Sequence, residues 1–159
     1  MIDNITGEPI TSIPLNLSSP ETATGYDFLG GKTLLEPGES YNLDVDGDGK
    51  VTALGDGLMV IRKLFGAAFA GDSLTDKAMS QDATRTVDEI HNYITNASEA
   101  MVYDVDGDGK VTALGDGLMV IRKLFGAAFA GDALTDKAMS DDATRTVDEI
   151  HAYISELTI

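Results

Sequence analysis

Apolar residues along this chain fall into two kinds of pattern. In GLMVIRKLF, residues 57–65, Leu58, Ile61 and Phe65 recur at helical spacing and predict an amphipathic helix. Arg62 and Lys63 lie off that stripe near the helix C-terminus, where cations suit the helix dipole, and Gly66 is placed to end it. The connection AAFAGDSLTDKAMSQDA offers Phe69, Leu74 and Met79 to a core without a clean period. A second helix is predicted from Thr86, because Thr86-Val87-Asp88-Glu89 has the form of a capping box and Val87, Ile90 and Ile94 share one face. The first 42 residues differ. Pro9, Pro14, Pro20 and Pro37 punctuate short runs such as ITSIPLNL and KTLL, which suits extended segments and turns.

The whole pattern from Asp44 to Ile94 returns from Asp104 to Ile154, with only Ser73/Ala133, Gln81/Asp141 and Asn92/Ala152 changed. Such self-similarity outweighs any local signal. Thr146 and Glu149 repeat the capping box, and whatever the first copy does chemically the second can do too. The expected fold is mainly α. An irregular or β-rich N-terminal segment or linker, residues 1–42, precedes two tandem loop–helix units, residues 43–97 and 103–159.

Each unit opens on DVDGDGKVTALGD, Asp44 to Asp56 and again Asp104 to Asp116. Calcium takes 6–8 oxygen ligands from carboxylates, a backbone carbonyl and water, and a loop curling around it needs a glycine at its sixth place. Asp44, Asp46 and Asp48 fill the first, third and fifth places, Gly49 the sixth, and Lys50 can offer its carbonyl at the seventh. Val51 at the eighth can pair, strand-like, with a partner loop, and Thr52 at the ninth can hold a bridging water. The closing acid arrives late. Gly55 stands at the twelfth place and Asp56 follows it. The extra residue lengthens the loop while aspartate is shorter than glutamate, so Asp56 is expected to come back to the ion. Asp104, Asp106, Asp108, Lys110 and Asp116 make the equivalent set, which implies two calcium ions per chain.

Other candidates carry less. His91 and His151 give each unit one imidazole, too few for a transition-metal site of their own, and read as surface or half-buried side chains. Met59, Met79, Met119 and Met139 read as core filler. Asp72, Asp76, Asp82 and Arg85 read as a polar connection with internal ion pairs, a degenerate second metal loop being the alternative. No serine, cysteine or histidine constellation points to nucleophilic catalysis, so an enzyme is not expected.

Charge sharpens the picture. Against 11 basic residues stand 27 acids, a formal −16, which disfavours nucleic acid and anionic membranes as partners. With no cysteine there is neither a disulfide framework nor a thiolate metal site. The N-terminus lacks the basic start and apolar run of a signal peptide, and no window approaches the roughly 18 apolar residues of a membrane span.

DVDGDGKVTALGDGLMVIRKLFG resembles the calcium loop and following helix of type I dockerin domains, members of the EF-hand group that use loop-plus-helix units without an entering helix. The stretch PGESYNL before Asp44 is not helical in character, in keeping with that likeness. The chain is also similar to C-terminal calcium repeats of large secreted bacterial proteins. The resemblance implies a non-enzymatic calcium-binding module of an extracellular or surface protein, part of a longer chain, whose fold the ion stabilises. Two alternatives are a calcium-dependent module that docks another protein, cohesin or other, and a calcium sensor. Dockerins recognise cohesins through small polar residues late in the loop, whereas this chain has Leu54-Gly55 and Leu114-Gly115 there.

Overall fold

Both repeats build the same succession of elements in the structure, a computed structural model that describes residues 40–158. After each acidic loop comes a π-helical turn, Ala53–Gly57 or Ala113–Gly117, which runs directly into an α-helix. These helices are α1, Leu58–Phe65, and α3, Leu118–Phe125; the second helices are α2, Val87–Glu99, and α4, Val147–Leu157. Short 3-10 turns follow α1 and α3. The fold is thus mainly helical, as the apolar spacing implies, and the described residues contain no strand. Val51 and Val111 pack against the core instead of pairing as strands. The expectation for the N-terminal segment falls on residues of which 1–39 lie outside the described ones.

The helix boundaries have local causes. The Thr86 hydroxyl accepts a hydrogen bond from the Glu89 N–H and the Glu89 carboxylate accepts one from the Thr86 N–H, so two backbone donors at the start of α2 are satisfied. Thr146 and Glu149 do the same for α4. Helix α1 stops where Gly66 takes φ 86°, a left-handed turn that a side chain would disfavour.

The buried face of α1 is not the expected stripe. Met59 and Val60 are wholly buried, Leu58 and Leu64 are half-buried, and Phe65 is 49% exposed. The helix has two partners, α2 of its own repeat and, in the other repeat, α3 with its π turn. Ile61 meets the second of these: it lies against Gly117, while Ile121 and Leu124 lie against Gly57. A Cβ on Gly57 would stand 3.1 Å from Leu124 Cδ1, so the glycine permits this close approach. Leu74, Ile90 and Ile94 are fully buried, each worth about 1.5–3 kcal/mol of burial. Of the expected core residues, Phe69 is half-buried, and Met79 is 39% exposed like its counterpart Met139.

A single apolar core runs through both repeats, and residues Tyr41–Ile159 form one compact unit. The chain closes on itself. The Val102 N–H bonds the Ala97 carbonyl, joining the end of α2 to the second loop, and the Leu43 N–H bonds the Leu157 carbonyl, joining the end of α4 to the first. Tyr103, which stands where the first repeat has Leu43, is completely buried and donates its hydroxyl to the Asn42 carbonyl at 2.7 Å.

Candidate metal centre

The acidic loop is wound by its own aspartates. Asp44 Oδ1 accepts the Gly47 and Asp48 N–H groups and Oδ2 accepts that of Gly49, which sits at φ 88° as the sixth place requires. Asp46 Oδ1 takes the Asp48 N–H, and Asp48 Oδ1 takes the Lys50 N–H. The Lys50 side chain is exposed, 4.0 Å from Asp82. The second loop repeats these bonds through Asp104, Asp106, Asp108 and Lys110.

The late aspartate is returned by the π turn. Gly57 N–H donates to the Thr52 carbonyl at 3.0 Å, five residues back, so the turn encloses one residue more than an α-helical turn would. The residue inserted before Asp56 is absorbed there. Thr52 caps the turn by accepting the Gly55 N–H on its hydroxyl. Asp56 is 3% exposed, with Oδ1 on the Val45 N–H at 2.9 Å and Oδ2 on the Thr52 N–H at 3.0 Å. Asp116 bonds Val105 and Thr112 in the same way at 2.7 and 2.9 Å. Each carboxylate oxygen keeps lone pairs beyond the one it spends on an amide.

Side chains converge accordingly. One carboxylate oxygen from each of Asp44, Asp46 and Asp56 lies within 4.8 Å of the others, and the same holds for Asp104, Asp106 and Asp108. Asp48 of the first set and Asp116 of the second fall outside these groups, although Asp116 feels the charges of Asp106 and Asp104. Burial, with neighbouring Asp46, pushes the Asp56 carboxyl up to about 6; burial and the neighbouring acids push Asp116 up to about 6 and raise Asp106. Among the described residues no Lys or Arg forms an ion pair with Asp44, Asp46 or Asp56. A nearby positive charge would relieve the crowding of these carboxylates, and an all-oxygen set fits a hard divalent cation.

If a cation is held by Asp56 and Asp116, proton and cation compete for them. Both acids are raised above their ordinary 3.8 to about 6, so lowering the pH through that value protonates a group that such a cation would use. Apparent calcium affinity per site should fall about tenfold between pH 7 and pH 5. Titrations at the two pH values check this, and equal affinities would contradict it.

The polar connection differs from its expected form. Arg85 makes no carboxylate pair among the described residues; its guanidinium binds the Asp44 and Val45 carbonyls and lies over the Tyr93 ring. Ser80 and Thr84, like Arg85 at the far end of the connection, also touch the loop. Only the repetition of SQDATRT as SDDATRT marked them in the sequence. His91 lies 2.9 Å from the Gly71 carbonyl through Nε2 and 3.0 Å from Lys63 Nζ through Nδ1, so its Nε2–H donates and its Nδ1 accepts. Both nitrogens are spent on holding α1 and the connection to α2. His151 is held identically by Gly131 and Lys123.

Comparison with known families brings one match. The model of the dockerin type I domain matches residues 42–125, a span that takes in both acidic loops, both π turns and helices α1 to α3. No curated protein and no solved structure matches the chain.

Proposed function

The chain belongs to the dockerin type I family, whose members are non-catalytic, calcium-dependent docking domains, and on that premise we propose that residues 41–159 hold two calcium ions that order a protein-docking surface. In the first site the carboxylates of Asp44, Asp46, Asp48 and Asp56 and the Lys50 carbonyl hold the ion; Asp104, Asp106, Asp108, Asp116 and Lys110 hold the second. A bound ion would offset the mutual repulsion of these crowded acids. The observation that supports this most is the π turn, which returns Asp56 and Asp116 to the loop side of the helix despite the extra residue. The repeats, 43–97 and 103–159, are then two halves of one unit, and the ions stabilise the fold as well as the surface. Millimolar calcium outside a cell keeps even modest sites filled, which favours an extracellular or surface setting within a longer protein.

Calorimetric titration of the full chain with calcium tests the reading. Two ions per chain are expected, and saturation with fewer would contradict it.

For the partner, we take a cohesin-type protein. Leu54 and Leu114 ride on the outside of the π turns, 63% and 64% exposed, where family members carry their recognition residues. Apolar side chains in those places call for an apolar partner patch. Leu54→Asp with Leu114→Asp should leave both calcium sites intact and weaken binding to a matching cohesin at least tenfold, by calorimetry. Loss of calcium binding in that variant would instead make the leucines part of the fold.

A further inference from the structure

Each acidic loop is gripped from outside by chain that lies 34 to 41 residues further on. The Ser80 N–H donates to Asp46 Oδ2 at 2.8 Å, so one ligand carboxylate is aimed by a backbone group outside the loop. Thr84 and Arg85 both give their N–H groups to the Asp46 carbonyl, at 3.0 and 3.1 Å, and the Thr84 hydroxyl binds the Gly47 carbonyl at 2.8 Å. Arg85 Nη1 spans the Asp44 carbonyl at 2.8 Å and the Val45 carbonyl at 3.1 Å. Its guanidinium is backed by the Tyr93 ring, 4.0 Å from the centroid, and the Tyr93 hydroxyl is fixed in turn by the Asn42 N–H at 2.9 Å. The approach is so close that a Cβ on Gly47 would collide with Thr84. In the other repeat Ser140, Thr144 and Arg145 hold Asp106, Gly107 and Asp104 at matching distances, with Arg145 over Tyr153.

We propose that residues 80–85 and 140–145 are clasps that hold the two acidic loops in their ligating shape before the cation arrives, with Arg85 and Arg145 as positioning residues. An arginine cannot be a cation ligand, and its charge beside a cation site opposes binding. Its contribution must come from the geometry it imposes. A guanidinium nitrogen fixed on loop carbonyls, two for Arg85 and one for Arg145, with the group held over a tyrosine ring, removes backbone freedom that the loop would otherwise lose on binding. Groups of this kind behind metal ligands commonly change affinity 10–100-fold.

That opposition of charge and geometry makes the inference testable. It rests on the calcium reading of the loops, so wild type, Asp56→Ala, Arg85→Ala, Arg85→Lys and Arg145→Ala are titrated side by side with calcium, and chelator-induced release is timed. Arg85→Ala should weaken one of two sites about tenfold or more, with faster release, and leave the other near wild type. Arg85→Lys, which keeps the charge and loses the planar guanidinium held over Tyr93, should move the same way, and Arg145→Ala should give the mirror result. Unchanged or tighter binding in Arg85→Ala, or equal weakening of both sites, would overturn the clasp. If wild type binds two ions and Asp56→Ala weakens one, such a result rejects the clasp alone. A wild type that takes up no calcium would reject the reading beneath it.

Discussion

Removing calcium is expected to lower the melting temperature by more than 10 °C or to leave the acidic loops and α1 and α3 unformed. Four aspartates must share each loop, and burial already lifts Asp56 and Asp116 to about 6, so at neutral pH each is ionised at a cost to the fold. The sign follows: an acid raised in the folded state costs stability above its folded value, so the ion-free protein loses stability as pH rises from about 4 through about 6. Calcium at 100 times its dissociation constant would add about 2.7 kcal/mol per site, or roughly 5 kcal/mol for two. A domain of this size has a total stability on the order of 5–15 kcal/mol. The closed chain spreads the loss. Leu43 bonds Leu157, and each π turn packs on the other repeat's helix, so the loops of both repeats rest on one core that melts as a unit. Circular dichroism melts in excess calcium and in excess chelator provide the measurement. Superimposable curves would mean that calcium does not hold this fold together.

Asp56→Ala should weaken the first site by an order of magnitude or more and leave the second near its original affinity. The loss has two parts. One charged ligand disappears, and the Val45 and Thr52 N–H groups lose the buried oxygens that satisfy them. Ala in place of Gly55 tests the neighbouring position differently. Its Cβ would press on Thr52 Oγ1 at 2.5 Å and the Ala78 carbonyl at 3.2 Å, so it strains the turn while removing no ligand. Calcium titration of Asp56→Ala and Asp116→Ala reads the effect, and an unchanged affinity in both would show that water closes the loops.

The local chemistry was open to reading because its causes are local. The loop's glycine at φ 88°, the Thr86 and Thr146 capping boxes and the Gly66 stop each depend on residues within a few positions, and all are where the spacing put them. The buried face of α1 was not readable. Leu58, Met59, Val60, Ile61 and Leu64 cover more than one side, and the helix serves two partners, one of them in the other repeat. A single stripe is the wrong template for such a helix. Phe65 by its spacing and Met79 by its apolar side chain read as core, and both lie at the surface instead. The extra loop residue was visible, but its remedy was not, since a π turn differs from an α turn only in which carbonyl an N–H chooses. Arg85 was the furthest from reach: its partners are two backbone carbonyls about 40 positions earlier, which carry no signature in the sequence.

A crystal structure of residues 41–159 grown in calcium, with anomalous scattering to place the ions, is the decisive measurement. One ion is expected in each loop, with Asp56 and Asp116 among its ligands at about 2.3–2.6 Å and the π turns Ala53–Gly57 and Ala113–Gly117 retained. Ions held by the first three aspartates and water alone, with Asp56 and Asp116 bound only to backbone amides, would contradict the return of the closing ligand by the π turn.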